Sequence, residues 1–412
     1  MTIIILVKTN PFFENVASAN RLRTLIDGLT SLGASIELFI TGGYNSLTEY
    51  NKLRNNGTCN GIKYKYMTML FHHNIWLRRL NLYLLNPIME WFIRWRILSI
   101  LKTNELCIVW SSTELAHFKL VLWLKSHLPN NIYFLEMSEF LCIHQYNLGN
   151  RLQRMQGDRR QIFFEKKAIY AYDGIALMTK TLLAHFDSFP GKKPKFLHLP
   201  MTVDLDRFKN PDSHEIAENL QKPFIAFIGV MDNRKDGVDI LIDAFAAILE
   251  DFPHHHLHLF GSWNYDTPGH LKQIKALRLE DKVIWHGAVQ RDEVPSILLN
   301  ADLLALPRPA SKQAQGGFPT KLGEYLASSK PVCVTTVGEI PEYLQDGESA
   351  FFAEPGSSES FAHAMRRALS DRVNALRVGV NGRKVAEKHF NKDIQAKILY
   401  EFLQGLIRDD SK

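Results

Sequence analysis

Short apolar runs alternate with amphipathic stretches along nearly the whole of this chain, and that rhythm limits the folds open to it. Ile3 to Val7, Ile36 to Ile40, Cys107 to Trp110, Ile132 to Leu135, Gly174 to Met178 and Phe196 to Leu199 read as buried strands, and Arg21 to Leu32 between the first two has helical spacing. Such alternation marks strand-helix-strand units around a parallel sheet. The pattern restarts at Pro223. Phe224 to Gly229, Leu257 to Gly261, Val283 to Gly287, Leu303 to Leu306 and Val332 to Thr335 are its strands, with helical patterns such as Val238 to Leu249 and Val294 to Asn300 between them.

The reading is therefore α/β, with two doubly wound, Rossmann-like domains. The first covers residues 1–204 and is completed by a closing helix at about 392–412; a polar linker follows at 205–222, and the second domain spans 223–391. A chain of 412 residues exceeds the size at which one core keeps growing, which agrees with two domains of about 200 residues each.

Composition narrows the class. Hydrophobic residues are 46% and charged residues 22%, ordinary for a folded soluble protein and against disorder. Cys59, Cys107, Cys142 and Cys333 lie far apart without paired metal spacing, which fits a reduced compartment. The N-terminal MTIIILVKTN lacks a basic leader, so a cytoplasmic protein is expected. The net charge of +6 suits anionic lipid or nucleotide phosphates and is too weak to imply nucleic acid.

The stretch most open to chemistry is Gly316 to Pro331, GGFPTKLGEYLASSKP. A Gly-Gly turn permits close backbone approach, and Leu322, Tyr325 and Leu326 then fall on one helical face. A loop feeding a helix N-terminus presents backbone N–H groups and the helix dipole to an anion, here a diphosphate, with Thr320 as cap or ligand. One turn deeper, the Glu324 carboxylate can accept two hydrogen bonds from a vicinal diol such as a ribose. Read blandly, this is a common strand-to-helix turn with an acid serving only as a dipole partner. Earlier in the same domain a turn carrying Arg234 and Lys235 follows the first strand, where cations face the ligand crevice of an open α/β sheet; a solvated pair is the alternative.

Taken in order, Gly229, the KDGVD turn, ADLLALPRP, GGFPTKLGEYLASSKPV and VGEIPEYLQDGESAFF resemble the donor domain of glycosyltransferase family 4. NPFFENVASANRLRTLIDGLTSLGASIELFI, FFEKKAIYAYDGIALMTKTLLAHF and HLPMTVDLDRF extend the resemblance toward the N-terminus. The resemblance implies a GT-B architecture, an acceptor-side and a donor domain facing each other across a cleft. It implies transfer of a sugar from a nucleotide sugar to a glycan or lipid-linked acceptor, with retention and without an essential metal or other cofactor. Such enzymes abound in bacterial surface polysaccharide and lipopolysaccharide assembly.

By the same resemblance, Lys235 contacts the donor diphosphate, backbone groups from Gly317 and Phe318 through Pro319 and Thr320 to Lys321 bind phosphate, and Glu324 holds the ribose. Two departures stand out. The family's first acid falls on Gly316, and the Arg that often follows the glycine at 229 is Val230, so Arg234 or Arg308 is expected to supply that charge. His286 is placed to line the nucleotide pocket or to serve the core. From the first domain, Glu139 after FLEM is the candidate for orienting sugar or acceptor, and the loop Pro11 to Arg21 offers Asn20 and Arg21 as ligands over the cleft.

Other signals carry less. DLD at Asp204 to Asp206 reads as a turn or cap rather than a metal site, and His254, His256 and His258 as the start of a surface strand. Phe71 to Leu101 mixes Trp76, Trp91 and Trp95 with Arg78, Arg79, Arg94 and Arg96, a pattern that fits either a peripheral contact with an anionic membrane or a pair of core helices with solvated arginines. A dinucleotide oxidoreductase would need a Gly-x-Gly-x-x-Gly turn after its first strand, and neither half has one. A nucleotide-sugar epimerase of the same fold, or a binding protein with weakened catalysis, remains the rival reading.

Overall fold

The computed structural model describes residues 1–13, 17–42, 56–67, 86–103, 106–141, 151–209 and 215–410. Two compact units emerge: Met1–Leu199 with Ala396–Lys412, and Pro200–Gln395. Cys142 and the Phe71 to Leu85 part of the aromatic and basic segment, with Trp76, Arg78 and Arg79, lie outside the described residues.

The first unit runs β1 (Thr2–Val7), α1 (Ala17–Ser31), β2 (Ser35–Ile40), β3 (Asn56–Cys59), β4 (Ile62–Tyr66), α2 (Asn86–Lys102), β5 (Ile108–Ser111), α3 (Leu115–His127), β6 (Ile132–Met137), α4 (Arg151–Lys166), β7 (Gly174–Leu177), α5 (Lys180–Asp187) and β8 (Lys195–His198). Its sheet has the order β3-β4-β2-β1-β5-β6-β7-β8. Strand periodicity sets the two faces. Ile3, Ile5 and Val7 pack with Leu25, Ile26 and Leu29 of α1 on one side, while Ile4 and Leu6 join Ile97, Phe118, Val121 and Phe164 on the other. Burial on both sides is why these strands read as continuous apolar runs.

Two features depart from the sequence reading. α1 starts at Ala17, so Asn20 and Arg21 lie on a helix rather than in a loop; Pro11–Phe13 is a single 3-10 turn, and residues 14–16 lie outside the described residues. At the other edge β3 pairs antiparallel with β4. Asn60 at φ 49° and Gly61 at φ 77° make the turn between them, the Asn-Gly signal for a tight hairpin.

The second unit continues with α6 (Glu215–Glu218), β9 (Phe224–Ile228), α7 (Val238–Ile248), β10 (His256–Phe260), α8 (Thr267–Ala276), β11 (Val283–Gly287), α9 (Glu293–Asn300), β12 (Leu303–Leu306), α10 (Lys312–Gly316), α11 (Thr320–Ala327), β13 (Val332–Thr335), α12 (Ile340–Tyr343), β14 (Phe351–Ala353), α13 (Ser358–Ser370) and α14 (Arg372–His389), before the closing α15 (Lys392–Asp410). Its sheet is parallel, in the order β11-β10-β9-β12-β13-β14. The chain leaves β9 toward β10 on one side and returns at β12 on the other. The switch point therefore falls between β9 and β12, and a doubly wound sheet opens its ligand crevice at the carboxyl ends of those strands. The expected surface placement of the histidine run holds for exposed His254 but not for His258, which is 1% exposed because β10 is an inner strand.

Candidate functional site

Two loops leave the switch point of the second unit. The first follows β9 and turns through Gly229 to Gly237. The Asp232 carboxylate accepts hydrogen bonds from the backbone N–H of Arg234 and of Lys235, both at 2.8 Å, and so fixes the turn that carries the two cations. Gly237 has φ +69°, and a Cβ there would lie 2.1 Å from the Pro307 carbonyl oxygen, so the turn needs glycine to pass the second loop. Arg234 is exposed and Lys235 partly so.

The second loop leaves β12. Arg308 is 3% exposed and its Nε donates to the carbonyl of Lys235 at 3.2 Å, which ties the two loops together. Gly316 closes the one-turn helix α10, and neither it nor Gly317 is among the described glycines at positive φ. The expected Gly-Gly turn is thus a tightly packed passage: Gly316, Gly317, Phe318 and Pro319 are all buried. The Phe318 ring points into the core against Tyr343 and Phe390, at 5.6 and 5.3 Å between centroids, which leaves only its backbone to face a ligand. Thr320 is the first residue of α11 and not its cap; Pro319 holds that position, with no side-chain cap bond. Tyr325 seats the helix on the sheet, its hydroxyl accepting from the Ile228 N–H at 2.7 Å.

The strongest electrostatic feature is an ion pair that the motif does not announce. Lys321 Nζ lies 2.5 Å from Asp236 Oδ2, with side chains 18% and 2% exposed, and sits 5.0 Å above the Phe227 ring. Burial pushes the Lys321 ammonium below its usual range, Asp236 opposes that shift, and Arg308 and Lys235 add to it. Lys235, Arg308 and Lys321 therefore share one field at the ends of β9 and β12. Gly229 makes room for this group, since a Cβ there would fall 2.1 Å from Lys321 Nζ.

Glu324 lies one turn into α11 and is already engaged. Its Oε1 accepts from Arg207 Nη1 at 2.5 Å, and Arg207 Nη2 donates to the Arg291 carbonyl. His286, expected to face the nucleotide or the core, faces His258: the rings share a hydrogen bond of 2.7 Å, and His286 stacks on Phe260. His258 Nε2 contacts the Gln221 carbonyl, so its Nδ1 is the acceptor for His286. Burial drives His258 down to about 4 and lowers His286 as well. Asp204 caps the turn at Leu205–Phe208, accepting from the Asp206 N–H at 3.2 Å, and also pairs with Lys392.

In the first unit the switch point lies between β1 and β5. There the buried His117 ring contacts Thr41 Oγ1 and Ser112 Oγ, each at 2.7 Å, and burial, with Lys8 adding, lowers it to about 4. Arg21 is 2% exposed. Its guanidinium donates to Glu136 Oε1 at 2.7 Å and to the Leu199 carbonyl at 2.8 Å, so it braces the ends of β6 and β8. Asn20 accepts from Arg23, and Glu139 is exposed just past β6.

The sequence reading missed Asp236, Arg207, Glu136 and His117. Glu136 alone left a clear mark, as an acid inside the apolar run IYFLEM. Asp236 and Arg207 sit in the quoted KDGVD and DLDRF segments, where a polar side chain in a turn looks solvated until its distant partner is known.

Residues 222–371 match the family described as Glycosyl transferases group 1. Among characterised relatives, mannosylfructose-phosphate synthase of Agrobacterium fabrum is 32% identical over 43% of this chain and 40% of its own length. A GDP-mannose-dependent alpha-(1-6)-phosphatidylinositol monomannoside mannosyltransferase of Mycobacterium tuberculosis is 27% identical over 57% of this chain and 62% of its own. The chain thus matches roughly half the length of these relatives. The structure of sucrose-phosphate synthase from Thermosynechococcus elongatus, a GT-B fold, superimposes with a TM-score of 0.76 over 99% of both chains at 16% identity. Residues 222–371 are accordingly a glycosyl transferases group 1 domain, within a chain that has the GT-B fold.

Proposed function

We propose that this protein is a family 4 glycosyltransferase that moves a sugar from a nucleoside diphosphate sugar to a glycan or lipid-linked acceptor with retention of configuration, in bacterial surface polysaccharide or lipopolysaccharide synthesis. The observation that carries the reading is the meeting of Lys235, Arg308 and Lys321 with the start of α11 and with Glu324, at the carboxyl ends of β9 and β12. Cations and a helix N-terminus suit a diphosphate, and a carboxylate suits the ribose beyond it. The match to the glycosyl transferases group 1 family and the GDP-mannose dependence of one relative support the same donor class.

In the reaction, the bond from the sugar's anomeric carbon to the phosphate oxygen breaks and its electron pair leaves on the diphosphate. Lys235 and the α11 N-terminus stabilise that charge. The acceptor hydroxyl forms the new bond on the same face, and its proton passes to the departing phosphate oxygen, so neither a metal nor a protein base is needed. Glu139 is the proposed group that orients sugar or acceptor.

A peripheral membrane site is proposed for α2. Ile88, Trp91, Phe92 and Trp95 follow i, i+3, i+4, i+7 spacing and are 63%, 62%, 48% and 46% exposed, while Ile97 and Leu98 are buried in the core. Two apolar faces on one helix, the outer one rich in tryptophan, fit an interfacial helix. Among the described residues no helix is long and apolar enough to cross a membrane.

Calorimetric titration with UDP, GDP, ADP and CMP sugars tests the donor, and release of free nucleotide only when acceptor is present tests the transfer. Binding to none of them overturns the reading. Binding without turnover across a broad acceptor panel would favour the sugar-nucleotide-binding protein instead.

A further inference from the structure

Arg207 lies in the DLDRF segment, where the sequence assigns it no role, yet it is the residue that touches the carboxylate assigned to the ribose. It sits in the turn Leu205–Phe208, which Leu205 and Phe208 anchor in the core of the second unit and Asp204 caps. From there one guanidinium nitrogen reaches Glu324 Oε1 at 2.5 Å and a second reaches the Arg291 carbonyl, just before α9. The side chains of Arg207 and Glu324 are 15% and 23% exposed.

Guanidinium is a planar fork, and Arg207 divides its fork between two acceptors. With one nitrogen on the backbone carbonyl, it meets Glu324 through a single oxygen. An ionised carboxylate offers about four lone-pair directions, of which Arg207 uses one. Oε2 and the second lone pair of Oε1 thus remain suited to two hydroxyl donors on adjacent carbons. A partly exposed glutamate on a helix otherwise samples several rotamers, and a fixed partner removes that freedom before the ligand arrives.

We infer that Arg207 is a positioning residue that presets Glu324 to accept the ribose diol and so selects ribonucleotides over deoxyribonucleotides. The inference rests on the proposed nucleotide-sugar site. Arg207 acts through Glu324, so its loss falls on the hydroxyl contact and spares the diphosphate contact at Lys235.

The test is calorimetric titration of the full chain with UDP, GDP and ADP, then with the 2′-deoxy form of whichever binds most tightly. Wild type should prefer the ribo form about tenfold or more, the value of a hydrogen bond to a charged group. Arg207→Ala should weaken the ribo form roughly tenfold and leave the deoxy form within about twofold, so that the preference collapses. Adding Arg207→Ala to Glu324→Gln should change ribo affinity little further, because the two act as one unit. Arg207→Lys retains a cation without the fork; recovery of part of the preference supports positioning and guards against a folding defect in the alanine variant. Equal weakening of ribo and deoxy forms by Arg207→Ala, or an unchanged preference, overturns the inference while leaving the donor site standing. Wild type that binds no nucleotide at all overturns both.

Discussion

Replacing Gly229 with alanine tests the electrostatic reading of the site most sharply. The added methyl would lie 2.1 Å from Lys321 Nζ and 2.9 Å from the tip of the Phe227 ring. Sterically the clash is mild, because the ammonium ends a flexible chain and can retreat. Electrostatically it is not. Reaching ordinary contact requires a move of more than about 1 Å, which takes a 2.5 Å ion pair out of hydrogen-bond range. Asp236, whose side chain is 2% exposed, would keep only the Val230 N–H at 3.2 Å.

Losing a charge-assisted bond to a buried carboxylate costs about 1.5–3 kcal/mol, and removing the partner of a buried pair outright costs about 3–5 kcal/mol. Displacement should fall near the lower figure, about 2 kcal/mol, which for a unit of this size lowers the melting temperature by about 4–8 °C. Scanning calorimetry of the full chain reads this shift in the transition of the second unit. The decisive comparison is made in a Lys321→Ala background, where no ammonium remains to be displaced. There the same glycine change should cost less than about 1 kcal/mol. An equal cost in both backgrounds would refute the argument, because the penalty would then belong to Phe227 or the backbone.

Other consequences are quicker to state. Lys235→Ala should weaken binding of the preferred nucleoside diphosphate at least about tenfold while leaving the free nucleoside unaffected, in parallel titrations; equal losses would remove Lys235 from the phosphate site. His117 and His258 titrate near 4 when folded against 6.5 ordinarily, so between those values the unfolded chain binds more protons and stability falls as pH drops. Each should cost about 2 kcal/mol at pH 5 relative to pH 8, and His258→Gln should flatten the acid limb of a melting-temperature profile; an unchanged limb contradicts the burial argument. Trp91→Glu with Phe92→Glu should abolish flotation on vesicles rich in phosphatidylglycerol while the melting temperature stays within about 2 °C, and retained flotation removes α2 from the membrane contact.

How much was legible depended on the range of the interaction. Strands buried on both faces show themselves as apolar runs, so β1, β2, β5 to β7, β9, β10, β12 and β13 could be read directly, and the less buried edge strands β8 and β11 were still apolar enough to be found; the β3–β4 hairpin was passed over because NGTC is polar and sits at an edge, although its Asn-Gly turn was visible. Loops that follow strands could be placed at the sheet's carboxyl ends from order alone. What the chain did not disclose was which polar side chains inside those loops are spent on one another. Arg207 meets Glu324 across 117 residues, and Lys321 meets Asp236 across 85. Local pattern carries no trace of pairs so distant, so Lys321 looked like one more cation, Arg21 like a ligand when it is a brace, and Thr320 like a cap when Pro319 had the place.

The ion pair also bears on Gly316. A carboxylate added near Lys235, Arg308 and Lys321 would compete with a diphosphate for the same cations, and the site already holds one acid, Asp236, which takes up Lys321. On the proposed reading, glycine at 316 adds no such competitor and removes a contact from the sugar side. On the same reading, affinity for the nucleotide and choice of the sugar fall to different residues: the first to groups at the two strand ends, the second to the buried stretch from Gly316 to Gly317, whose neighbour Phe318 is held by the core. Substitutions that alter sugar choice should accordingly map outside the cation cluster and leave nucleoside diphosphate affinity within about twofold, because sites that share no partner combine additively.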